Sequence, residues 1–365
     1  MNAAAANSNQ EVYENIKQEL KDWHKLLKEY QIPDTKKALF HTALTFLMYG
    51  SVWVLQYWLL ANDYSFWWVL AISIFNGVAL GRVFIIQHDC GHKSFTPKKW
   101  LNDTIGTICS FMTIIPYKYW AKSHDFHHAY NGQLETSDIG DFECLTTEQY
   151  AALTVKKKIR YRVYRSPAYI LTLGGIIYVA IFNRFRFLKS EYFEKVKNNV
   201  TVNNFLFVSA YVLLAFGLSF VSDWKNFFIV QFANLFVFGT MALWFFYVQH
   251  QYEEVYKEGK ENWNYLLSAI RGSTFYQLPR FMHFMTGNIG YHHIHHLCPS
   301  IPFYNLRKCS IENPIFQKYC IPLTVTQSFK AIFANMWDED SKKMISFGEF
   351  KAKMKNKQES NSQKS

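Results

Sequence analysis

The sequence predicts an all-α integral membrane protein: four membrane-spanning helices in two hairpins, with a cytoplasmic helical cap rich in histidine. Three observations predict it. First, half of the 365 residues are hydrophobic (50%) and 18% are aromatic, whereas only 18% are charged, against roughly 25% in soluble domains. Second, the apolar residues are gathered into four uncharged blocks, each about 20 residues long, the length of helix that crosses a bilayer. Third, most of the 13 histidines fall into groups at helical spacing just beyond those blocks. This composition excludes a disordered chain, a collagen-like chain and a small disulfide scaffold. A mean hydropathy of only -0.11 requires large polar segments outside the bilayer.

Residues 1–37 form a polar N-terminal segment without the short apolar core of a cleavable signal. Within it Val12, Ile16, Leu20, Trp23, Leu27 and Tyr30 recur at three- and four-residue intervals. That spacing predicts one amphipathic helix over 11–30, lying either on the membrane surface or against the protein body. The blocks follow: Ala38 to Asn62, Tyr64 to Gly81 (continuing past Arg82), Asn203 to Ser222 and Asn226 to Gln249. Arg82, near the end of the second, is expected to snorkel to the interface.

Two weaker blocks, Thr104 to Tyr117 and Ser166 to Asn183, read as interfacial or re-entrant. The first is too short to cross. The second has Pro167 near its start and Gly174-Gly175 in its middle. If it crossed, Arg184, Arg186, Lys189, Lys195 and Lys197 would lie outside, against the positive-inside bias. With four spans, only Lys225 of the 39 Lys and Arg lies in an outer connection. Both termini and the histidines then face the cytoplasm. The organisation is a segment 1–37, a main domain 38–335, and a polar, Lys-rich tail 336–365 expected to be mobile.

The formal charge is +11. Because the Lys and Arg flank apolar blocks, the charge reads as a match for anionic lipid and not for nucleic acid. The six cysteines contain no C-x-x-C pair, which fits a reducing compartment and no zinc ribbon.

The histidines form three groups and a single: His88 and His92; His124, His127 and His128; His250; and His292, His295 and His296. Residues i, i+3 and i+4 share one helix face, so each group presents its imidazoles in one direction. His88 follows directly on the second span and His250 on the fourth. Nine imidazoles therefore can converge on one cytoplasmic site. Imidazole suits iron, copper, zinc and nickel, while calcium and magnesium want oxygen ligands. A single structural zinc needs only four ligands. Nine nitrogens fit two ions with four or five each, and the economical reading is a dinuclear redox-metal site, with iron as the metal. His293 breaks the common spacing. Asp89, Asp125, Asp138 and Asp141 are candidates to orient the ligating rings.

At these residues the sequence resembles the membrane fatty acid desaturases, in particular bacterial and plastid-type acyl-lipid desaturases of the Δ12/ω-6 and Δ5 kind. The segments are His88-Asp-Cys-Gly-His-Lys-Ser-Phe95, His124-Asp-Phe-His-His-Ala129, Val248-Gln-His-Gln-Tyr-Glu253 and Thr286-Gly-Asn-Ile-Gly-Tyr-His-His-Ile-His-His-Leu297. The last is followed by Pro299, Ile301-Pro302 and Tyr304-Asn305-Leu306. The resemblance spans about residues 36 to 330. It implies that His88, His92, His124, His127, His128, His292, His295 and His296, with His250 by placement, bind two non-haem iron (Fe²⁺) ions. It further implies O₂ as co-substrate and a membrane lipid acyl chain as the substrate that gains a cis double bond. Phe246 stands where related acyl-CoA desaturases often carry an Asn; Asn288 is the candidate substitute, and His293 and His283 are further neighbours of the ligand set. Tyr117, Trp120, Trp263, Phe275 and Phe284 are candidate walls of an apolar tunnel. No dinucleotide fingerprint, iron–sulfur cysteine pattern or fused cytochrome domain is visible, so a separate ferredoxin- or flavodoxin-type electron donor is expected. The alternatives are a lipid hydroxylase, a carotenoid ketolase or an alkane monooxygenase sharing these boxes, and, outside enzymes, a metal transporter. A transporter should place ligands within its spans, whereas here the histidines lie past them.

Overall fold

The computed structural model describes residues 2–136, 140–185 and 196–362. The chain opens with α1 (Asn2–Glu19) and α2 (Trp23–Leu27), so the single helix expected over 11–30 is broken between them. Ile16, Leu20 and Leu27 are fully buried. Tyr13 meets Tyr256 edge-on at 5.4 Å, and Trp23 lies 6.4 Å from Tyr265. The apolar stripe therefore packs against the protein body and not against lipid.

α3 (Thr35–Ala61) starts where the Asp34 carboxylate accepts the Lys36 and Lys37 N–H groups, and α4 (Phe66–Gly91) where Ser65 accepts from Trp67. Both caps satisfy amides that a helix start leaves unpaired. α5 (Lys99–Thr113) and α6 (Tyr117–Tyr130) pack beside α4. After α7 (Thr147–Ala152) come α8 (Val155–Tyr164) and α9 (Gly174–Ala180). The second hairpin is α10 (Lys197–Leu218) and α11 (Trp224–His250). Among the described residues α3, α4, the 19-residue stretch Val200–Leu218 and α11 are long and apolar enough to cross a membrane, while 155–164 and 169–184 together form a pair bent by 50°.

Parity decides what the bent pair does. The C-terminal ends of α4 and α11 meet, since His88 and His250 belong to one histidine cluster. α10 leaves that end and α11 returns to it, so the chain between α4 and α10 makes no net crossing. That parity agrees with the interfacial or re-entrant reading of 166–183. Gly175 has a packing reason. A Cβ there would lie 2.0 Å from the Gly239 carbonyl carbon, so the α9 and α11 backbones touch.

Between the spans, polar groups turn to each other and not to lipid, although Asn76 Oδ1 and Asn234 Oδ1 keep no hydrogen-bond partner among the described residues. Gln56 Nε2 donates to Ser73 Oγ at 2.7 Å, while its Oε1 accepts from Asn76 at 3.0 Å and Asn234 at 2.9 Å, which ties α3, α4 and α11 together. Arg82 does not snorkel. It is 1% exposed, donates from Nε to Thr45 Oγ1 at 3.0 Å, and also holds His41 Nδ1 and the Phe284 carbonyl. Its guanidinium lies over the Phe284 ring at 4.3 Å. A long side chain pointing inward finds three acceptors there, so it need not reach for water.

The cap continues through α12 (Tyr265–Arg271), β1 (Thr274–Gln277), α13 (Arg280–Met285), α14 (His292–Leu297), α15 (Phe303–Glu312), α16 (Ile315–Tyr319), β2 (Ile321–Thr324) and α17 (Val325–Ala331). β1 pairs in parallel with β2, Thr274 opposite Ile321. Residues 336–365, marked by composition as a mobile tail, instead begin as an antiparallel hairpin, β3 (Met336–Asp338) with β4 (Lys343–Ile345), followed by α18 (Phe347–Ser362). Met336, Trp337 and Met344 are buried, and Trp337 N–H donates to the Leu145 carbonyl at 3.0 Å. A few apolar side chains in a charged stretch suffice to dock it.

Candidate metal centre

Four elements bring the histidines together. His88 lies in the last turn of α4 and His92 at its C-cap. His124, His127 and His128 lie on α6, His250 ends α11, and His292, His295 and His296 lie on α14. The chain enters α14 through two left-handed residues, Gly287 (φ 54°) and Asn288 (φ 57°). A Cβ on Gly287 would also lie 2.6 Å from Ile85, so glycine lets this loop close on α4.

The nine rings form two groups. Donor atoms of His88, His92, His124, His128 and His295 all lie within 4.8 Å of one another, as do those of His127, His250 and His296. His292 joins the second group, its Nε2 2.8 Å from that of His250 and 3.1 Å from that of His296. Other Nε2 pairs are as close: His127 to His250 at 3.2 Å, His124 to His128 at 3.0 Å, and His128 to His295 at 3.1 Å.

Ordinary hydrogen bonding does not account for these contacts. The Gly272 carbonyl, 3.0 Å from His250 Nδ1, can only accept, so the proton sits on Nδ1 and the Nε2 lone pair is bare. Asp89 Oδ1 lies 2.9 Å from His88 Nδ1 and assigns that ring the same way. The Nε2 atoms of His88 and His92 are buried without a partner. Each Nε2 carries one proton or one lone pair, yet that of His292 faces both His250 and His296 and that of His128 both His124 and His295; one hydrogen bond cannot serve both neighbours, whereas a shared cation can. Two nitrogens each about 2.1 Å from one metal and at right angles are about 3 Å apart, the spacing seen here. Burial, and after it the neighbouring imidazoles, holds His124, His128, His292, His295 and His296 well below the usual imidazole pKa. For His127 the further causes are His250 and Lys257. His92 is lowered by burial, which outweighs nearby Asp125. Neutral imidazole is the form that ligates, so the donor set fits metal.

The other expected residues divide. Asp89 faces the ligands: besides His88, its Oδ2 accepts the Phe303 N–H at 2.6 Å, which clamps α4 to the start of α15. Asp125, 47% exposed, lies 3.6 Å from His92 Nδ1. Asp141 accepts from its neighbour Phe142 at 2.6 Å and bonds to no imidazole among the described residues, though its charge acts on His250. Asp138 lies outside the described residues. Asn288 donates to the Phe303 carbonyl at 3.1 Å and so holds the loop, away from the rings. His293 turns edge-on to Phe275 at 5.9 Å, and His283 stacks on Tyr291 at 4.8 Å; both leave the cluster.

Of the aromatics, Trp120 stacks on His124 at 4.5 Å and lies 5.7 Å from His88. Tyr117 donates to the Cys90 carbonyl at 2.8 Å, Trp263 to the Asn131 carbonyl at 2.8 Å, Phe275 stacks on Tyr291, and Phe284 lies under Arg82. Three further residues adjoin the rings, of which the sequence marked only the position of Phe246. Phe246 packs on His127 at 5.1 Å and His250 at 5.3 Å, one turn before His250. Tyr265 donates to the His296 carbonyl at 2.8 Å, and the Gly272 carbonyl orients His250. A backbone carbonyl leaves no signal in sequence.

The fatty acid desaturase family model matches residues 65–327. The chain is 37% identical over 315 residues to a fatty acid desaturase of Bacillus subtilis (strain 168), covering 86% of this chain and 87% of the relative. It is 28% identical to an sn-1 oleoyl-lipid 12-desaturase of Anabaena variabilis, covering 79% of each. It is 27% identical to an sn-1 acyl-lipid omega-3 desaturase (ferredoxin) of Nostoc sp. (strain 36), covering 84% of this chain and 82% of the relative. With its four apolar helices and the buried histidine cluster between their ends, this integral membrane protein belongs to the fatty acid desaturase family.

Proposed function

We propose that the protein is an acyl-lipid desaturase of the Δ12/ω-6 or Δ5 type, placing a cis double bond in the acyl chain of a membrane lipid. One observation carries the reading: nine buried imidazoles in groups of five and four, with their ring nitrogens crowded together. His88, His92, His124, His128 and His295 would hold one metal, and His127, His250, His292 and His296 the other. Iron is the assignment, because redox chemistry with O₂ needs a metal that changes oxidation state and imidazole ligates iron well.

When bound, the metal pair supplies O₂ activation strong enough to remove hydrogen from an unactivated methylene. The stoichiometry is two hydrogens from adjacent acyl carbons, one O₂, two electrons and two protons, giving one double bond and two waters. The chain's own residues hold and orient the ligands. Asp89 and the Gly272 carbonyl fix the His88 and His250 rings, and Trp120 and Phe246 wall the cluster with apolar surface. Burial of the whole set keeps bulk water out, which protects a reactive oxidant from side reactions.

The electrons come from a separate ferredoxin- or flavodoxin-type carrier. A relative whose name includes ferredoxin supports this, and the net charge of +11 suits an acidic partner. The site and both termini face the cytoplasm, on the count of lysines and arginines that leaves only Lys225 in an outer connection. Expression in a host that lacks polyunsaturated acids, followed by gas chromatography and mass spectrometry of fatty acid methyl esters, tests the reading. New monoenes or dienes are expected. Hydroxy acids would assign a hydroxylase instead.

A further inference from the structure

We infer that the seam between α8 and α18 is a binding site for the phosphate headgroup of an anionic glycerophospholipid. A cavity of about 370 Å³ opens there, lined among others by Arg162, Arg165, Ser166, Phe333 and Lys351, and by no Asp or Glu. Arg162 and Lys351 are exposed and pair with no carboxylate among the described residues; Arg162 spends only its Nε–H, on the Tyr150 hydroxyl at 2.7 Å. Arg165 is fully buried. Its amino groups reach the Glu143 carbonyl at 3.2 Å, Gln251 Oε1 at 2.9 Å and the Ala334 carbonyl at 2.8 Å, all neutral acceptors, and its buried Nε–H has no hydrogen-bond partner. Three cations around one cavity without a counter-charge make an electrostatic site for an anion. The buried one gains most, because an uncompensated charge away from water is costly.

The surroundings select a lipid over a soluble anion. Arg165 lies 4.9 Å from the Tyr247 ring, in the last turn of α11, so the cavity sits where a span leaves the apolar layer. On the outer face of α8, Val155, Ile159 and Val163 follow one another at i, i+4 and i+8 and are 74%, 59% and 57% exposed. Lys156 and Arg160 flank that stripe on one side and Arg162 on the other, the composition of a helix lying in the headgroup layer. Phe333, which lines the cavity, is itself 55% exposed, as an acyl-chain contact would be. The site also touches the metal centre at one remove, since Gln251, held by Arg165, directly follows His250. The inference does not depend on which acyl carbon the enzyme oxidises.

The test uses the full chain, delipidated in neutral detergent, with phosphatidylglycerol, phosphatidylcholine or inorganic phosphate added. Native mass spectrometry reads retained lipid and a melting curve reads stabilisation. Phosphatidylglycerol is expected to be retained and to raise the melting temperature, while phosphatidylcholine and phosphate do neither. Arg162→Gln with Lys351→Gln is expected to weaken phosphatidylglycerol binding roughly tenfold or more. Lys351→Gln alone, which breaks no polar contact among the described residues, should weaken it by a smaller factor, and Lys156→Gln with Arg160→Gln, which lie outside the cavity, should weaken it less than the Arg162/Lys351 pair does. Equal retention of the two lipids, full binding by the Arg162/Lys351 variants, or stabilisation by inorganic phosphate alone would overturn the proposal.

Discussion

His88 and Asp89 are adjacent in sequence, yet their side chains meet, Nδ1 to Oδ1, at 2.9 Å. Neighbouring residues on a helix ordinarily point about 100° apart. The contact forms in the final turn of α4, where Asp89 is also anchored by the Phe303 N–H. One carboxylate thus sets the tautomer of a proposed ligand and the position of α15.

Asp89→Asn keeps the shape and loses the charge that favours the Nδ1–H of His88. Loss of such an orienting partner costs typically 10- to 100-fold in metal affinity. Metal content after dialysis against a graded chelator measures it, and Asp89→Ala should fare worse, because the buried Phe303 amide is then left unpaired at about 1–3 kcal/mol. A variant with wild-type retention would remove Asp89 from the site.

His250 and His283 make a matched pair of substitutions, both histidines buried in the cap region. His250→Ala should lower bound iron below about two per chain and abolish desaturation, since its Nε2 faces His127 and His292. His283→Gln should keep the iron, because that ring stacks on Tyr291 outside the cluster. Plasma emission spectroscopy on purified protein distinguishes the two, and equal losses would contradict the grouping.

Gly175→Ala adds one methyl group where the Gly239 carbonyl carbon would stand 2.0 Å away. Backbone cannot give as a side-chain tip can, so the cost should reach about 1–3 kcal/mol or more. A lowered melting temperature in detergent, with α9 exchanging amide hydrogens faster, is the expected outcome. Gly217→Ala, with nothing within 4 Å of the added carbon, is the neutral control.

Asp338 fastens the hairpin to α18 through Lys353 Nζ at 2.5 Å and accepts from Ser341 in the hairpin turn at 2.7 Å. Burial alone would raise its carboxyl pKa; the Lys353 and Ser341 hydrogen bonds outweigh it and hold the pKa below the usual value. A lowered folded pKa stabilises the docked tail above the unfolded pKa of about 3.9, and that contribution is lost as pH falls through the folded value. Hydrogen exchange in α18, taken relative to the chemical exchange rate at each pH, should therefore be slow and level near neutral pH and accelerate below about pH 4. Asp338→Asn should speed it at neutral pH and flatten the acid response.

Much of the fold was legible because its main signals are local. The four uncharged blocks became α3, α4, α10 and α11 with ends shifted by a few residues, since crossing a bilayer depends on length and apolarity alone. The eight box histidines were legible for a related reason: i, i+3 and i+4 spacing survives in any helix. His250 was legible by its place at the end of a block. Less legible were long side chains with a choice of partner. Arg82 reads as an interfacial cation until Thr45, His41 and Phe284, far apart in sequence, are seen around it. The N-terminal stripe could face lipid or protein equally well, and the tail's few apolar residues were outweighed by its lysines.

By itself the sequence determined that the chain crosses a membrane four times and carries nine imidazoles just beyond the spans, because hydropathy and helical periodicity are properties of consecutive residues. Only the tertiary structure decided how those imidazoles divide into five and four, that Asp89 and a backbone carbonyl orient two of them while Asp141 and Asn288 do not, and that a row of basic residues closes around a cavity. Each of these depends on distances between residues far apart along the chain, which packing sets and local composition does not encode.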